Sequence, residues 1–539
     1  MSLTRRAVIG LASLVATSVA AGLIGAPFAA ATGSSPDASA PALGSGQDTS
    51  RAEARAALAA AQALFGPTAM SARATKPVDD ATLVLRDLAL AAPALGPSGR
   101  RAAHQILARP SDPSSNDSWG RRSDLKLCNA RLCVRWTKKG VNAPPRADSD
   151  RDGVPNQVER TLAVANEVWS TEVGALHYRR PLTDQRASFD NKDRRFDIYL
   201  AALGRGLYGY CAPDDSRMKR SSTYRFFDVA AYCVLDDDYA RFDFPSGTPL
   251  SNLRVTAAHE FQHAVQFGYD VSEDAWVMES TATWMEDQVY DASNDNRQYL
   301  TYSQLNRPNQ SLDLGKAYNW YGNWIFFRWL SERYGPSVVR QVWRRLDASP
   351  GGADDYSTLG IATALAGRGV PFDDAYARFT ADNQSPSKAY EEGAAYDAGP
   401  AMEFVLSDAA PNSGVITKTL DHLTSAAVRF VPEAGVGATT LKLTIDVPDP
   451  VSGGRAVLIQ TSTAGDVTRA VQDVLADGSL TLTSIPFDPA DVASVTVVLV
   501  NAGAKVKERT CFRYQTLYSC GGAVSSSDGG AASVRGQLG

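Results

Sequence analysis

The sequence lacks a surplus of basic residues and a series of long apolar runs. Lysine and arginine number 54 against 59 aspartate and glutamate, a net charge of −5, whereas nucleic-acid binding requires the opposite balance. Hydrophobic residues make up 44% and charged residues 21% of the 539 positions, which excludes wholesale disorder and a multi-span membrane protein. At roughly 100–200 residues per domain, the chain is long enough for about three or four folding units.

The apolar run that stands out is at the N-terminus. Residues 1–31 combine Arg5 and Arg6, an apolar stretch and an alanine triplet that ends at Ala31, which predicts a secretory signal peptide. A membrane anchor is the alternative, but glycine and proline interrupt the stretch. The arginine pair leaves Sec and twin-arginine export both open. We therefore expect a secreted or extracellular bacterial protein without stable membrane insertion.

Cysteine is scarce and never has C-x-x-C spacing, which argues against a zinc site built from thiolates. The six cysteines lie as three pairs close in sequence, and an even number in an exported chain predicts disulfides. Several connectivities are possible. Pairing between sequence neighbours gives Cys128–Cys133, Cys211–Cys233 and Cys511–Cys520.

Changes in composition divide the rest of the chain. Residues 32–120 hold a disordered lead-in, an Ala/Leu/Arg-rich stretch with helical spacing and a Pro/Ser/Asp linker; the helical part is either a removable pro-region or an N-terminal subdomain. Residues 121–400 mix strand and helix patterns. Residues 414–505 alternate β-branched residues with turns, which predicts a β-sandwich, and residues 506–539 form a disulfide-bearing tail with a disordered end. The predicted fold class is α+β.

Histidine is also scarce, yet two of the five histidines lie four positions apart in His259-Glu-Phe-Gln-His263. Residues at i and i+4 share one helix face, so both imidazoles can bind one zinc ion while Glu260 serves as general base for a water molecule. A helix with two surface histidines is the alternative. A third histidine at the metzincin spacing is excluded because Tyr269 occupies that position. A carboxylate from a following helix is the other standard ligand.

The segment Trp276-x-x-Glu279-x-x-Ala282-x-x-x-Glu286 resembles the WxxExxAxxxE that follows HExxH in the gluzincin metallopeptidases. The resemblance implies that Glu279 is the third zinc ligand and that Ala282 allows two helices to pack closely. It also implies that Glu286 orients a zinc-bound imidazole, although a solvated helix glutamate is the alternative. The fold implied is a gluzincin-like zinc metallopeptidase domain.

With the segments 196–200, 206–211 and 258–266, a wider span of about residues 109–345 is similar to a family of secreted bacterial metalloproteases. The chain departs from the gluzincin aminopeptidases in a shorter spacer before the glutamate ligand and in lacking their Gly-x-Met-Glu-Asn strand, so an endopeptidase is favoured. The segment that starts at Tyr321 resembles the tyrosine-bearing helix of gluzincins, which implies that this phenol stabilises the oxyanion. Tyr318 is the rival, and aromatic core packing is the alternative for both.

A second metal motif lies about 100 residues before the histidines. The segment from residue 148 to residue 159 matches the EF-hand loop, with glycine at its sixth position. An Asp-rich surface turn is the alternative. Because no clear helix precedes the loop, we expect a single structural calcium site with these ligands: Asp148, Asp150, Asp152, Val154 through its carbonyl, Asn156 and Glu159.

The motifs together predict a secreted, monomeric zinc endopeptidase that contains calcium and acts on polypeptide substrates. Two other functions stay open: a calcium-stabilised adhesion protein with a structural zinc, and a zinc hydrolase of non-peptide substrates. Glu260 favours an enzyme, since a structural zinc site does not require a general base beside the metal.

Overall fold

A computed structural model of the chain describes residues 51–65, 80–116, 118–119, 123–187, 193–204, 206–216, 218, 227–315, 318–437, 439–504 and 527–539. These residues fall within one unit, Gly46–Gly539. The predicted signal peptide and the predicted Cys511–Cys520 pair lie outside the described residues.

Among the described residues, the first part of this unit contains helices and strands, a run of seven helices from α5 to α11 follows, and the remainder consists mainly of strands. The helices of the described residues are α1 (Arg51–Phe65), α2 (Ala81–Ala91), α3 (Pro97–Leu107), α4 (Asn156–Trp169), α5 (Pro249–Phe267), α6 (Ala275–Tyr290), α7 (Asn319–Gly322), α8 (Trp324–Tyr334), α9 (Ser337–Arg345), α10 (Thr358–Ala366) and α11 (Phe372–Asp382). The strands are β1 (Leu125–Cys128), β2 (Leu132–Trp136), β3 (Phe196–Ala201), β4 (Gly209–Pro213), β5 (Ala231–Asp236), β6 (Ala401–Leu406), β7 (Ile416–Leu420), β8 (Thr424–Pro432), β9 (Thr440–Asp446), β10 (Gly454–Ser462), β11 (Val467–Gln472), β12 (Ser479–Pro486), β13 (Val492–Asn501) and β14 (Gly530–Leu538).

The first sheet has the strand order β1-β2-β3-β5-β4. Strands β2, β3 and β5 run parallel, whereas β1 and β4 are antiparallel to their neighbours at the two edges. Strands β2, β3, β4 and β5 are buried along their whole length, as expected for a sheet covered on both faces. Strand β4 is therefore an edge strand that other parts of the chain must cover.

Helices cover both faces of this sheet. Apolar residues of α1 to α3 pack against one face, which includes Tyr199, Tyr210 and Val234. On the other face, Ile198 and Leu235 share a core with α4, α5 and α6. The predicted helical segment is thus helical and packs directly on the sheet.

The stretch predicted as a linker after α3 is anchored to the sheet. Arg109 is 2% exposed. Its guanidinium donates hydrogen bonds to Asp197 on β3 and to Asp214 just after β4, the latter at 2.7 Å. A buried ion-pair network therefore anchors the chain at the end of the helical segment.

Two further sheets, ordered β11-β10-β13-β8-β6 and β12-β9-β14-β7, form the C-terminal region and share a hydrophobic core. Strand β13 is apolar at almost every position because both of its faces are buried. Val497 and Leu499 belong to that core, while Val498 and Val500 belong to the core that contains α4, α5 and α6. The predicted β-rich region is confirmed, but its limits differ. It begins at β6, and the end predicted to be disordered contains β14, which pairs with β7 and β9.

Within the described part of the chain, none of the helices has the length and apolarity needed to cross a membrane.

Candidate metal centre

Helix α5 brings the two motif histidines together. It starts at a capping box in which the Thr248 side chain accepts a hydrogen bond from the Ser251 N–H and the Ser251 hydroxyl accepts one from the Thr248 N–H, with Pro249 in the first turn. From Val255 to Phe267 every residue of the helix is buried. A helix that is buried on all sides holds its polar residues in the interior, so each needs a partner there.

The ligand atoms of the predicted zinc site converge. The Nε2 atoms of His259 and His263 lie 3.1 Å apart. Glu279 on α6 places one carboxylate oxygen 3.3 Å from the Nε2 of His259 and the other 3.5 Å from the Nε2 of His263. Glu279 is fully buried, and its two oxygens have no hydrogen-bond partner among the described residues.

The other nitrogen of each imidazole has its own partner. The Nδ1 of His259 lies 2.7 Å from a carboxylate oxygen of Glu286, and the Nδ1 of His263 lies 2.8 Å from the amide oxygen of Gln266. The Gln266 amide nitrogen donates to the Met278 carbonyl at 3.0 Å, which leaves its oxygen facing the ring. Both acceptors therefore favour a proton on Nδ1, and each neutral ring then has its lone pair on Nε2.

Two facing lone pairs and an unpaired carboxylate repel one another unless a proton or a metal ion lies between them. Two imidazoles and a carboxylate are a ligand set that zinc binds. Burial raises the pKa of Glu279, but the nearby His263 and His259 outweigh it and lower the pKa to about 2. Its carboxylate is therefore ionised over the physiological pH range, and the arrangement fits a divalent metal ion.

Glu286 is not the solvated helix glutamate of the alternative interpretation. Its side chain is buried, and burial raises its pKa to about 7 in spite of the hydrogen bond with His259. Gln266 plays the equivalent part for His263 but is not predicted from the sequence. Its spacing of three positions after His263, on the same helix face, is the signal that could have indicated it.

Glu260 lies beside the histidines on α5. Burial raises its pKa to about 7. Its carboxylate accepts a hydrogen bond from the hydroxyl of Thr82 at 2.9 Å. The edge strand β4 passes close by, because a Cβ at Gly209 would lie 3.0 Å from the Cγ of Glu260 and 2.7 Å from the side chain of Thr256. A glycine is therefore needed where this strand approaches Glu260.

Tyr321 is at the centre and Tyr318 belongs to a neighbouring aromatic cluster. The Tyr321 ring stacks on His259, with centroids 5.9 Å apart, and its hydroxyl donates a hydrogen bond to Asp80 at 2.6 Å. Tyr318 packs instead against Tyr302, with centroids 5.1 Å apart. The geometry thus favours Tyr321 of the two.

Asp80 is a member of this cluster that the sequence does not predict. It precedes α2, 179 positions before His259 in the chain. One ligand atom each of Asp80, His259, His263 and Glu279 lies within 4.8 Å of all the others. No sequence pattern links Asp80 to the histidines, since only the packing of α2 brings it there.

The predicted calcium loop is exposed and closes on itself. One carboxylate oxygen each of Asp148, Asp150 and Asp152 lies within 4.8 Å of the others. Asp148 accepts hydrogen bonds from the N–H groups of Arg151 at 2.7 Å and of Gly153 at 2.9 Å. Gly153 has φ +91°, which explains the glycine at the sixth position.

The remaining predicted calcium ligands are placed differently. Asn156 binds Ser149, accepting from its N–H at 2.9 Å and donating to its hydroxyl at 2.8 Å. Val154 donates its N–H to Asp152 at 2.7 Å. Glu159 lies in the first turn of α4, where desolvation and the neighbouring Asp150 and Asp152 raise its pKa. The structure therefore brings together the three aspartates, with Glu159 within their electrostatic reach.

Two of the predicted disulfides are present. Cys128–Cys133 joins β1 to β2, and Cys211–Cys233 joins the edge strand β4 to β5. Disulfides of this kind are typical of chains that fold in an oxidising compartment.

Comparisons with known proteins extend over part of the chain. A family of unknown function (DUF6055) matches residues 242–355. This range contains α5 to α9, and so the HExxH motif, Glu279, Glu286 and Tyr321, but neither Asp80 nor the calcium loop. No curated protein matches the chain.

Proposed function

We propose that the chain is a secreted zinc-dependent endopeptidase in which Glu260 is the general base. The observation that carries the proposal is the convergence of two imidazole Nε2 atoms and the Glu279 carboxylate, with a second buried carboxylate, Glu260, beside them on α5. A purely structural zinc site does not require that second carboxylate. The two cross-strand disulfides support secretion.

His259, His263 and Glu279 would hold the zinc ion. When bound, zinc supplies Lewis-acid chemistry that polarises the scissile carbonyl and acidifies a water molecule. Glu286 and Gln266 fix the two rings so that each Nε2 faces the ion. These two residues would therefore orient the ligands through the ring nitrogens that face away from the ion.

Glu260 would take a proton from the attacking water and deliver it to the leaving amine. A pKa of about 7, raised by burial, suits a group that must accept and release a proton near neutral pH. The Tyr321 hydroxyl, held over the same cluster, would donate a hydrogen bond to the developing oxyanion.

The edge strand β4 supports a polypeptide substrate. Cys211 pairs with Cys233 on one side, and on the other side its N–H is bound by the Thr82 hydroxyl at 2.9 Å. That N–H points away from the sheet toward the side where Glu260 also binds Thr82. An extended peptide that added to this edge would lie beside Glu260.

The test compares the wild-type chain with Glu260→Gln. Each protein is loaded with zinc, its zinc content is measured, and hydrolysis of casein is followed before and after limited proteolysis, because residues 80–82 cover Glu260. The variant is expected to keep one zinc and to lose about 10²-fold or more of the activity. Equal hydrolysis by both proteins, or none by the wild type in either form, would contradict the proposal.

We also propose that the loop from Asp148 to Glu159 binds one calcium ion with a structural role. The support is the grouping of three aspartates around a positive-φ glycine, followed directly by α4. Such oxygen-rich loops in extracellular proteins bind calcium with dissociation constants of about 10⁻⁴–10⁻³ M.

A further inference from the structure

Both carboxylate oxygens of Asp80 accept hydrogen bonds. One oxygen accepts a hydrogen bond from the N–H of Leu83 at 3.0 Å and so caps α2, while the other accepts from the Tyr321 hydroxyl at 2.6 Å. The carboxylate belongs to the same cluster as the two histidines and Glu279. The start of α2 thus aims an acidic group at the zinc ligands and holds its direction from two sides.

Thr82, the second residue of the same helix, binds the carboxylate of Glu260, the proposed general base. Its hydroxyl donates to a Glu260 oxygen at 2.9 Å and accepts from the backbone N–H of Cys211 on β4 at 2.9 Å. Asp80 and Thr82 together therefore engage Tyr321, Glu260 and the outward N–H of the edge strand. These are the groups that the proposed reaction needs for the oxyanion, the water and the substrate backbone.

Helix α2 is fixed in this position by buried contacts. The guanidinium of Arg86 donates to the Glu273 carbonyl at 2.9 Å, just before α6, and lies 3.1 Å from the Met278 sulfur. Leu85 and Leu88 are fully buried against α1, α3 and the sheet. The contact of Asp80 with the cluster is therefore part of the packed fold.

We propose that Asp80 is the fourth protein ligand of the metal and that the start of α2 keeps the centre closed. This inference rests on the proposed zinc site. Two imidazoles and two carboxylates complete a tetrahedral zinc shell and neutralise its charge, whereas catalysis requires an open fourth position. The chain as folded is then a latent form, which opens when α2 leaves or is removed.

The test uses cobalt in place of zinc, because the visible spectrum of cobalt(II) reports its ligands without any turnover. The full chain is compared with Asp80→Asn, which keeps the helix cap but supplies a poor ligand, and with Asp80→Ala. Asp87→Asn is the matched control: it removes a carboxylate of the same helix that pairs with Arg86 and lies outside the metal cluster. Each cobalt protein is titrated with acetohydroxamate.

Both Asp80 variants are expected to bind acetohydroxamate at least 10-fold more tightly than the wild type, with a change in the cobalt spectrum before any hydroxamate is added. The Asp87→Asn protein should behave as the wild type. Equal hydroxamate affinity and identical spectra for wild type and Asp80→Asn would overturn the inference.

The outcome is separable from that of the proposed function. If the Asp80 variants open the cobalt site but their zinc forms hydrolyse no peptide, Asp80 stands as a ligand and the peptidase proposal fails. If the wild type already binds hydroxamate as tightly as the variants, the proposal that Asp80 closes the metal centre fails, while loss of activity in Glu260→Gln would still support the peptidase.

Discussion

The buried cluster on α5 and α6 and the exposed loop at residues 148–159 are both candidate metal sites, but they hold their ligands differently. In the cluster, Glu286 and Gln266 each bind the far nitrogen of a histidine, so the near nitrogens and Glu279 have no partner except one another. In the loop, the carboxylates already accept hydrogen bonds from the loop's own N–H groups.

This difference decides what each site can do. Ligands that are buried and oriented by second residues hold a metal tightly and can direct its chemistry. Ligands in an exposed loop face solvent, which competes for the ion. Calcium is therefore expected to bind and to stabilise the loop at millimolar concentrations. The cluster is the candidate for catalysis and the loop for a structural ion.

The largest expected effect is the loss of zinc affinity when one ligand of the buried cluster is removed, a change that distinguishes the two sites. Glu279→Ala should lower zinc affinity more than about 100-fold, because loss of a direct ligand exceeds the effect of a supporting residue. His259→Ala and His263→Ala should do the same. Zinc content after dialysis is the measurement, and Asp150→Ala is the matched change in the loop. Full zinc content in Glu279→Ala would remove it from the ligand set.

A smaller effect tests whether orientation matters in the cluster. Glu286→Gln keeps the size of the side chain but weakens the hydrogen bond that fixes His259, so zinc affinity should fall by about 10–100-fold. Competition with a chromophoric chelator measures it. An unchanged affinity would mean that the imidazole is held by packing alone.

The loop is tested by calcium and by a double substitution. Ten millimolar calcium should stabilise the wild type by about 1–3 kcal/mol if the dissociation constant is about 10⁻⁴–10⁻³ M. Asp150→Ala combined with Asp152→Ala should abolish the rise in Tm and leave zinc content unchanged. If the double variant keeps the full calcium effect, the loop is only an acidic turn and the ion binds elsewhere.

A last, pH-dependent effect comes from a buried histidine outside both sites. His422 lies between Asp313, at 2.9 Å, and Asp528. Burial lowers its pKa, but the hydrogen bonds to Asp313 and Asp528 outweigh it and raise the pKa to about 9. With carboxylates on both nitrogens, His422 is expected to be protonated rather than to bind metal.

The sign of the pH effect follows from that shift. A histidine whose pKa is raised on folding stabilises the protein fully below its ordinary value and loses that contribution as the pH rises through about 9. The wild type should therefore lose on the order of 2 kcal/mol between pH 7 and 10 that His422→Asn does not lose. Parallel Tm profiles for the two proteins would contradict this.

Local sequence patterns predict much of the fold. The i, i+4 histidines and the apolar spacing around them predict α5 and α6, and the alternating C-terminal runs predict a β-rich region. The tail is the counterexample. Residues 530–538 are rich in glycine and small residues, a composition that predicts disorder. They nevertheless form β14, which pairs with β7 on one side and β9 on the other. Strand pairing with distant partners overrides weak local preference.

The sequence by itself determined the chemistry available: the HExxH spacing, the later glutamates at positions 279 and 286, and an acidic loop with one glycine. Each depends on neighbours within a helix or a turn, where spacing fixes direction. Only the tertiary structure decided that Asp80 and Thr82, far away in the chain, lie beside the proposed metal ligands and Glu260. Their position depends on the burial of α2 against the sheet, a long-range packing event that leaves no periodic trace in the residues themselves.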